Sequence, residues 1–108
     1  MVDREQNQEV LKLLSALADP TRLMIVQQLA GIAGIPVQVQ VIAEFVGAKP
    51  GIISHHINIL REAGLVKYSQ CGQSRLYQIN VPTLEKLQGV LQFVPTKQLR
   101  EEIANEAK

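Results

Sequence analysis

The first third of the chain carries apolar residues at the spacing of two successive helices. In the first segment these residues are Val10, Leu13, Leu14 and Leu17. Their spacing predicts an amphipathic helix over about residues 4–18. Asp19-Pro20 then starts a second helix, because an Asp side chain accepts hydrogen bonds from the free amides of a first turn and Pro fits the first helical position. This helix is expected to end near Gly31 and to bury Leu23, Val26 and Leu29.

The next segment interrupts its apolar run with Gly and Pro before helical spacing returns. Residues 37–39 alternate between apolar and polar, which predicts one short strand. A short third helix is expected over about residues 40–46, with Gly47 as its stop. Lys49-Pro50 then opens a fourth helix, which Gly64 closes. Two helices joined by such a glycine turn have the length and turn residue of a helix-turn-helix.

The fourth helix has one apolar side and one largely polar side. The apolar stripe is Ile53, Ile57 and Leu60. The opposite side carries Ile52, Ser54, His55, Asn58 and Arg61. A polar side of this kind is the one that the second helix of a helix-turn-helix places in the major groove of DNA.

After Gly64 the apolar pattern changes from helical to alternating. Residues 65–70 and 73–80 are predicted to be strands joined at Cys71-Gly72, where Gly supplies the positive φ of a tight turn. The polar side chains along this hairpin are Lys67, Gln70, Gln73 and Arg75. Helix, turn, helix and hairpin in this order predict a winged helix-turn-helix. The expected class is mainly α with a small β-hairpin (α+β), with about five to six helices.

Both ends of the chain carry more apolar surface than a small domain can bury. A fifth helix is expected to begin at Asn80 or Thr83 and to end at Pro95, and a last, polar helix should follow. The apolar residues of the fifth helix are Leu84, Leu87, Val90, Leu91 and Val94. We therefore expect residues 1–18 and 82–108 to form the interface of a homodimer.

Composition and charge agree with a small nucleic-acid-binding protein. A chain of 108 residues with 46% hydrophobic and 19% charged residues is expected to fold as one domain over residues 1–108. Residues 20–80 contain five basic and two acidic side chains, whereas the flanks contain six basic and eight acidic ones. A basic centre between acidic ends fits a phosphate-facing middle. The N-terminus lacks the apolar core of a signal peptide, and no apolar run reaches the roughly 20 residues of a membrane span. We expect a cytoplasmic protein without membrane contact.

Two blocks of sequence, with the hairpin that follows them, resemble the ArsR/SmtB family of bacterial and archaeal winged-helix repressors. The blocks are residues 14–23 (LSALADPTRL) and residues 53–66 (ISHHINILREAGLV), and the hairpin match runs from Gly72 to Tyr77. The resemblance covers about residues 8–92. It implies a homodimer built from the first and fifth helices, with two recognition helices that read a two-fold-related operator. In the family an inducer at a separate site lowers the affinity for DNA. For this chain an unknown small-molecule inducer, a partner protein and the absence of any inducer all stay open.

The resemblance also assigns positions on the recognition helix. Ser54 and His55 fall where members of the family contact DNA. Residues 49–52 (KPGI) replace the usual Ser-Gln-Pro-Thr of the family. Ile52 can therefore touch a thymine methyl group, but it cannot donate a hydrogen bond as Thr would.

The two metal sites known in the family are not expected here. The Cys-x-Cys pair and the following Asp of the third helix correspond to Gln38, Gln40 and Val41, none of which is a thiolate. The second site uses Asp and His on the fifth helix, and residues 83–108 contain neither. His55 and His56 point about 100° apart on one helix, so they cannot share one ion. We predict no metal and no cofactor.

Together these patterns predict a DNA-binding transcriptional regulator, a repressor that binds its operator as a homodimer. The residues expected to contact double-stranded DNA are Lys49, Ile52, Ser54, His55, Asn58, Arg61, Lys67, Gln73 and Arg75. Cys71, the sole cysteine, is a turn residue that can also be considered as an oxidation sensor. Two alternatives stay open: a protein-interaction module with this fold, and an architectural protein that binds DNA without sequence preference. No phosphate-binding loop or catalytic motif indicates an enzyme.

Overall fold

The computed structural model describes residues 4–93 and 103–106. In the first of these ranges the chain forms helices and one hairpin in the order α1 Arg4–Leu17, α2 Pro20–Gly31, α3 Val39–Val46, α4 Pro50–Ala63, β1 Val66–Cys71, β2 Ser74–Ile79 and α5 Val81–Val90. A sixth helical segment covers residues 103–106. The predicted class, mainly α with a small β-hairpin, is confirmed.

The hydrophobic core is centred on α4. The largest fully buried side chains are Ile25, Leu29, Ile42, Ile53, Ile57, Leu60, Leu65 and Ile79. They come from α2, α3, α4, the connection between α4 and β1, and β2, and α4 alone supplies three of them. Complete burial of a side chain of this size contributes about 1.5–3 kcal/mol. The orientation of α4 is therefore set by the core on one of its sides, which leaves the other side free for a ligand.

The two ends of α4 are defined by their backbone chemistry. Lys49 is the N-cap, and Pro50 occupies the first helical position. At the other end Gly64 has a φ of +93°. The amide of Leu65 donates to the carbonyl of Leu60 at 3.0 Å, and that of Gly64 donates to Arg61 at 3.0 Å. This pair of hydrogen bonds is a Schellman motif, which ends the helix and directs the chain into β1.

In α2 the predicted set of buried residues was partly wrong. Val26 and Leu29 are buried, but Leu23 is 45% exposed and Ile25 takes its place in the core. The apolar residues of this helix surround its axis, so their spacing alone could not select the buried side. Gly31 is the last residue of α2, as expected.

The strand predicted over residues 37–39 is reduced to a single bridge. Val37 exchanges two backbone hydrogen bonds with Tyr77, at 2.9 and 2.8 Å. Gln38 is already the N-cap of α3, and Val39 is the first residue of that helix. The extended pattern could not continue because the helix begins two residues after the bridge.

The hairpin turn lies one residue later than predicted. Cys71 pairs with Ser74, so the two-residue loop is Gly72-Gln73 and not Cys71-Gly72. Gly72 has a φ of +65°, whereas Gln73 does not have a positive φ. This combination is typical of a type II′ turn, in which glycine is required at the first loop position only.

The last described helix of the main range is shorter than predicted. Asn80 is its N-cap position, but the Asn80 side chain donates to the carbonyl of Gly64 at 2.9 Å instead of capping the helix. The helix ends at Val90, one residue after Gly89, which has a low helix propensity. Val94, Pro95 and most of the predicted final helix lie outside the described residues.

Candidate nucleic-acid interface

The outer side of α4 presents the predicted recognition residues. Side chains of α4 outside the buried stripe Ile53, Ile57 and Leu60 lie on the other sides of the helix. Accordingly Ile52, His55, Asn58 and Arg61 are exposed, and Ser54 is half-buried. The predicted division of α4 into a buried side and an open side is confirmed at all three apolar positions.

A polar cluster fixes α4 from behind. The guanidinium of Arg22 donates through Nε to the carbonyl of Ala16 at 2.6 Å, and its other nitrogen lies 3.3 Å from Nδ1 of His56. The backbone amide of Arg22 donates to Asp19 Oδ2 at 3.0 Å. This cluster joins the end of α1, the start of α2 and the middle of α4.

The same cluster perturbs one titratable group. The backbone N–H of Arg22 holds the pKa of Asp19 below its ordinary value of 3.8. The charges of Arg22 and His56 act in the same direction, against a desolvation contribution that raises the pKa. Asp19 therefore stays ionised at the N-terminus of α2, where a negative charge is favourable.

The hairpin has two sides with different chemistry, because successive residues of a strand alternate between its faces. One side carries the cross-strand pairs Val66–Ile79, Tyr68–Tyr77 and Gln70–Arg75. The other side carries Lys67–Gln78, Ser69–Leu76 and Cys71–Ser74. Two of the predicted phosphate contacts, Lys67 and Arg75, therefore lie on opposite sides of the wing. Cys71 is exposed and shares its side with Lys67 rather than with Arg75.

Tyr68 joins the hairpin to α4. The Arg61 guanidinium carbon lies 5.5 Å from the centroid of the Tyr68 ring, and that of Arg75 lies 6.0 Å from it. Both distances are within the range of a cation–π contact. The sequence analysis did not include Tyr68 among the contact residues. An aromatic residue in a strand usually indicates a buried side chain, and nothing in the sequence shows that two arginines contact this ring.

A polar cleft of about 310 Å³ separates the hairpin turn from the helices. Its lining includes three predicted contact residues, Ser54, Gln73 and Arg75. At the edge of the cleft Gln38 Nε2 donates to Ser74 Oγ at 3.1 Å, which ties the wing to the start of α3. A second open depression at the start of α4 is lined in part by Lys49 and Ile52. Five of the predicted contact residues therefore line these two depressions: Ser54, Gln73 and Arg75 the cleft, and Lys49 and Ile52 the depression at the start of α4.

The side chains that could ligate a metal are scattered in this region. Within residues 4–93 and 103–106, no group of three or more His, Cys, Asp or Glu side chains could hold an ion. At the family's first metal position, Gln38 is engaged in the hydrogen bond to Ser74. The rings of His55 and His56 lie 5.3 Å apart in a T-shaped arrangement.

Comparisons with known proteins agree with this geometry. Residues 19–68 match the family model described as "Bacterial regulatory protein, arsR family". The uncharacterized HTH-type transcriptional regulator MJ1325 of Methanocaldococcus jannaschii is 39% identical over 75 residues, which are 69% of this chain and 82% of that protein. This chain belongs to the ArsR family. It is a DNA-binding winged-helix regulator and not an enzyme.

One further relative and one solved structure are similar to most of this chain. The HTH-type transcriptional regulator NmtR of Mycobacterium tuberculosis is 36% identical over 78 residues, or 72% of this chain and 62% of NmtR. The structure of the homodimeric winged helix-turn-helix DNA-binding domain of Mb0332 from Mycobacterium bovis superimposes with a TM-score of 0.66 at 26% identity. That match covers 85% of this chain and 84% of the domain. No helix in the described part of this ArsR-family chain has the length and apolar character to cross a membrane.

Proposed function

We propose that this ArsR-family protein is a homodimeric repressor that inserts α4 into the major groove of a two-fold-related operator. One observation carries the proposal: α4 is fully buried along one side and presents polar, exposed side chains along the other, next to the cationic hairpin. A helix held in this way can enter a groove without disturbing the core. A dimer that occupies an operator would block access to the promoter.

The proposed contacts divide by chemistry. The exposed His55 and Asn58 and the half-buried Ser54 would meet base edges, since all three lie along the middle of α4. Ile52 would touch a thymine methyl group. Positive side chains and one amide would meet the backbone of the duplex: Lys49, Arg61, Lys67, Gln73 and Arg75. Because Lys67 and Arg75 occupy opposite sides of the wing, they would contact different phosphates.

The dimer contact is proposed for the side of the molecule formed by α1 and α5. Leu11 is 63% exposed and Phe93 is 81% exposed. Both line an apolar depression of about 320 Å³ between the two helices. Lys86 Nζ donates to Glu9 Oε2 at 2.5 Å and holds α1 and α5 together. A continuous apolar surface of this kind favours a second copy of the chain, and the similar Mb0332 domain is described as homodimeric.

The inducer that we propose for this repressor is a small organic molecule and not a metal ion. Gln38, Gln40 and Val41 stand at the family's thiolate positions, which disfavours a metal there. Such a molecule would bind the DNA-free dimer more tightly than the DNA-bound dimer. Because coupling between two binding sites is reciprocal, its binding would lower the affinity of the dimer for the operator by the same factor.

Selection of bound sequences from a random duplex pool tests the proposal. The expected result is an inverted repeat with half-sites about one helical turn apart, since the two α4 helices of a dimer follow its two-fold axis. Asn58→Ala should relax the preference at one position of each half-site, whereas the control Gln88→Ala on α5 should not. Duplex binding without enrichment would instead support an architectural protein. A chain that bound no duplex at low salt would support a protein-interaction module.

The dimer is tested separately by sedimentation. Leu11→Glu places a charge in the proposed interface and should shift the protein towards monomer. Ile35→Glu is the matched control, since Ile35 is also exposed but lies in the loop before α3. If Leu11→Glu and Ile35→Glu sedimented as dimers to the same extent, the result would argue against this interface.

A further inference from the structure

Two arginines from different elements share one aromatic ring at the base of the wing. Arg61 comes from the last turn of α4, and Arg75 comes from β2. Their guanidinium carbons lie 5.5 and 6.0 Å from the centroid of the Tyr68 ring on β1. The two positive groups therefore contact the same ring, although 14 positions separate them in the sequence.

The Tyr68 ring is held in place by contacts that do not involve either arginine. It packs against the buried ring of Tyr77, with the two centroids 5.8 Å apart. Tyr77 is fixed in turn by its backbone bridge to Val37. The Tyr68 hydroxyl donates to Gln70 Oε1 at 2.9 Å. The ring is 37% exposed, so it presents a fixed surface to the solvent beside α4.

An aromatic ring orients a cation without neutralising it. Among the described residues neither Arg61 nor Arg75 forms an ion pair with a carboxylate, and the contacts Asp19–His56 and Glu9–Lys86 lie elsewhere in the fold. A carboxylate partner would occupy the guanidinium donors, whereas a ring leaves those N–H groups open to an anion. Two like charges around one ring repel each other until an anion lies close to both.

We propose that Tyr68 is a positioning residue that holds Arg61 and Arg75 as a pair for one backbone phosphate of DNA. The proposal rests on the DNA-binding function proposed above, and it adds a residue outside the recognition helix and outside the predicted contact set. In the DNA-free protein Tyr68 already restricts the rotamers of both arginines. Less side-chain entropy is therefore lost when the arginines bind the phosphate. The bound phosphate would then relieve the repulsion between the two guanidinium groups.

The experiment measures the affinity for a fixed duplex over a series of salt concentrations. Tyr68→Leu removes the ring and keeps an apolar side chain, and it should weaken binding roughly 5- to 30-fold at low salt. If the paired phosphate contact is lost, the slope of log affinity against log salt should fall by about 0.9. Tyr68→Phe keeps the ring and should bind like the wild type, since the hydroxyl contacts only Gln70 in this arrangement.

A double-mutant cycle distinguishes positioning from a general change in the hairpin. In a chain that already carries Arg61→Met and Arg75→Met, Tyr68→Leu should cause no further loss of affinity. In a chain that carries Lys67→Met, the full loss should remain, because Lys67 lies on the other side of the wing. Equal losses in all three backgrounds would overturn the proposal. If Tyr68→Leu failed to fold, Tyr68→Thr, which suits a strand, would take its place in the same cycle.

The two proposals fail in different ways. A wild-type chain that bound no duplex at any salt concentration would remove the DNA-binding proposal and this one with it. A wild-type chain that bound DNA in a salt-dependent manner, together with an unchanged affinity in Tyr68→Leu, would overturn only the role of Tyr68.

Discussion

The two sides of α4 differ in what fixes their side chains. On the inner side Ile53, Ile57 and Leu60 are completely buried, and His56 is engaged by Arg22 and Asp19. On the outer side His55 and Asn58 are exposed to solvent. The neighbouring histidines show the contrast most directly, since one belongs to a polar cluster inside the fold and the other projects from the surface.

This difference explains which part of α4 is constrained by folding. An inner residue must match the volume and the hydrogen-bonding groups around it, because packed interiors tolerate few voids and few unpaired polar atoms. An outer residue needs only to be compatible with a helix. The outer side can therefore be adapted to a particular operator, including the unusual residues 49–52, without loss of the winged helix.

The largest expected effect comes from the inner side. Ile57→Ala leaves a cavity in the core and should lower the free energy of unfolding by about 2–5 kcal/mol. Asn58→Ala, one residue further along and exposed, should change it by less than about 0.5 kcal/mol. Urea unfolding followed by circular dichroism measures both values. Operator selectivity should respond in the reverse order. Asn58→Ala should change which sequences the folded protein binds, whereas Ile57→Ala should leave the preferred sequence of the remaining folded protein unchanged.

Substitution of the polar cluster should have an intermediate effect. Arg22→Met removes the donors to Ala16 and His56, so it should cost about 1.5–3 kcal/mol of unfolding free energy. Arg61→Met is the matched control on the outer side, and it should reduce the salt dependence of DNA binding with little change in stability. Comparable stability losses in the two variants would contradict the division of α4 into a folding side and a binding side.

Much of the fold could be predicted from local signals. Asp19-Pro20, Lys49-Pro50 and Gly64 mark helix ends through caps and backbone geometry, and the structure places helix ends at each of them. The buried stripe of α4 follows directly from its spacing. The burial of α2 could not be predicted in the same way. The hydrophobicity of that helix is spread around its axis, and only tertiary packing selects Ile25 over Leu23.

The arrangement of the candidate site could be predicted from the sequence less well than the fold. The one-residue shift of the hairpin turn changes which residues pair: Arg75 lies opposite Gln70, whereas the predicted turn would have placed it opposite Tyr68. In both registers Lys67 and Arg75 lie on opposite sides of the wing, because successive strand residues alternate between its faces. The platform formed by Tyr68 depends on the approach of α4 to the hairpin, a long-range contact without a local signature. The exposed side of α4 could be predicted from helical periodicity alone, whereas the direct cross-strand partners on the wing depend on the exact position of the turn.

The smallest effect concerns the charge of Asp19 at the inner cluster. The Arg22 amide lowers the pKa of Asp19 in the folded protein, so folding is favoured by the ionised form. This stabilisation is complete above the unfolded-state pKa of about 3.9 and is lost as the pH falls through the lowered folded pKa. Asp19→Asn keeps a side-chain cap without the charge. The stability advantage of the wild type over this variant should therefore shrink between pH 5 and pH 2 in urea unfolding experiments, and an advantage that grew in acid would show that the inner cluster does not depend on the carboxylate.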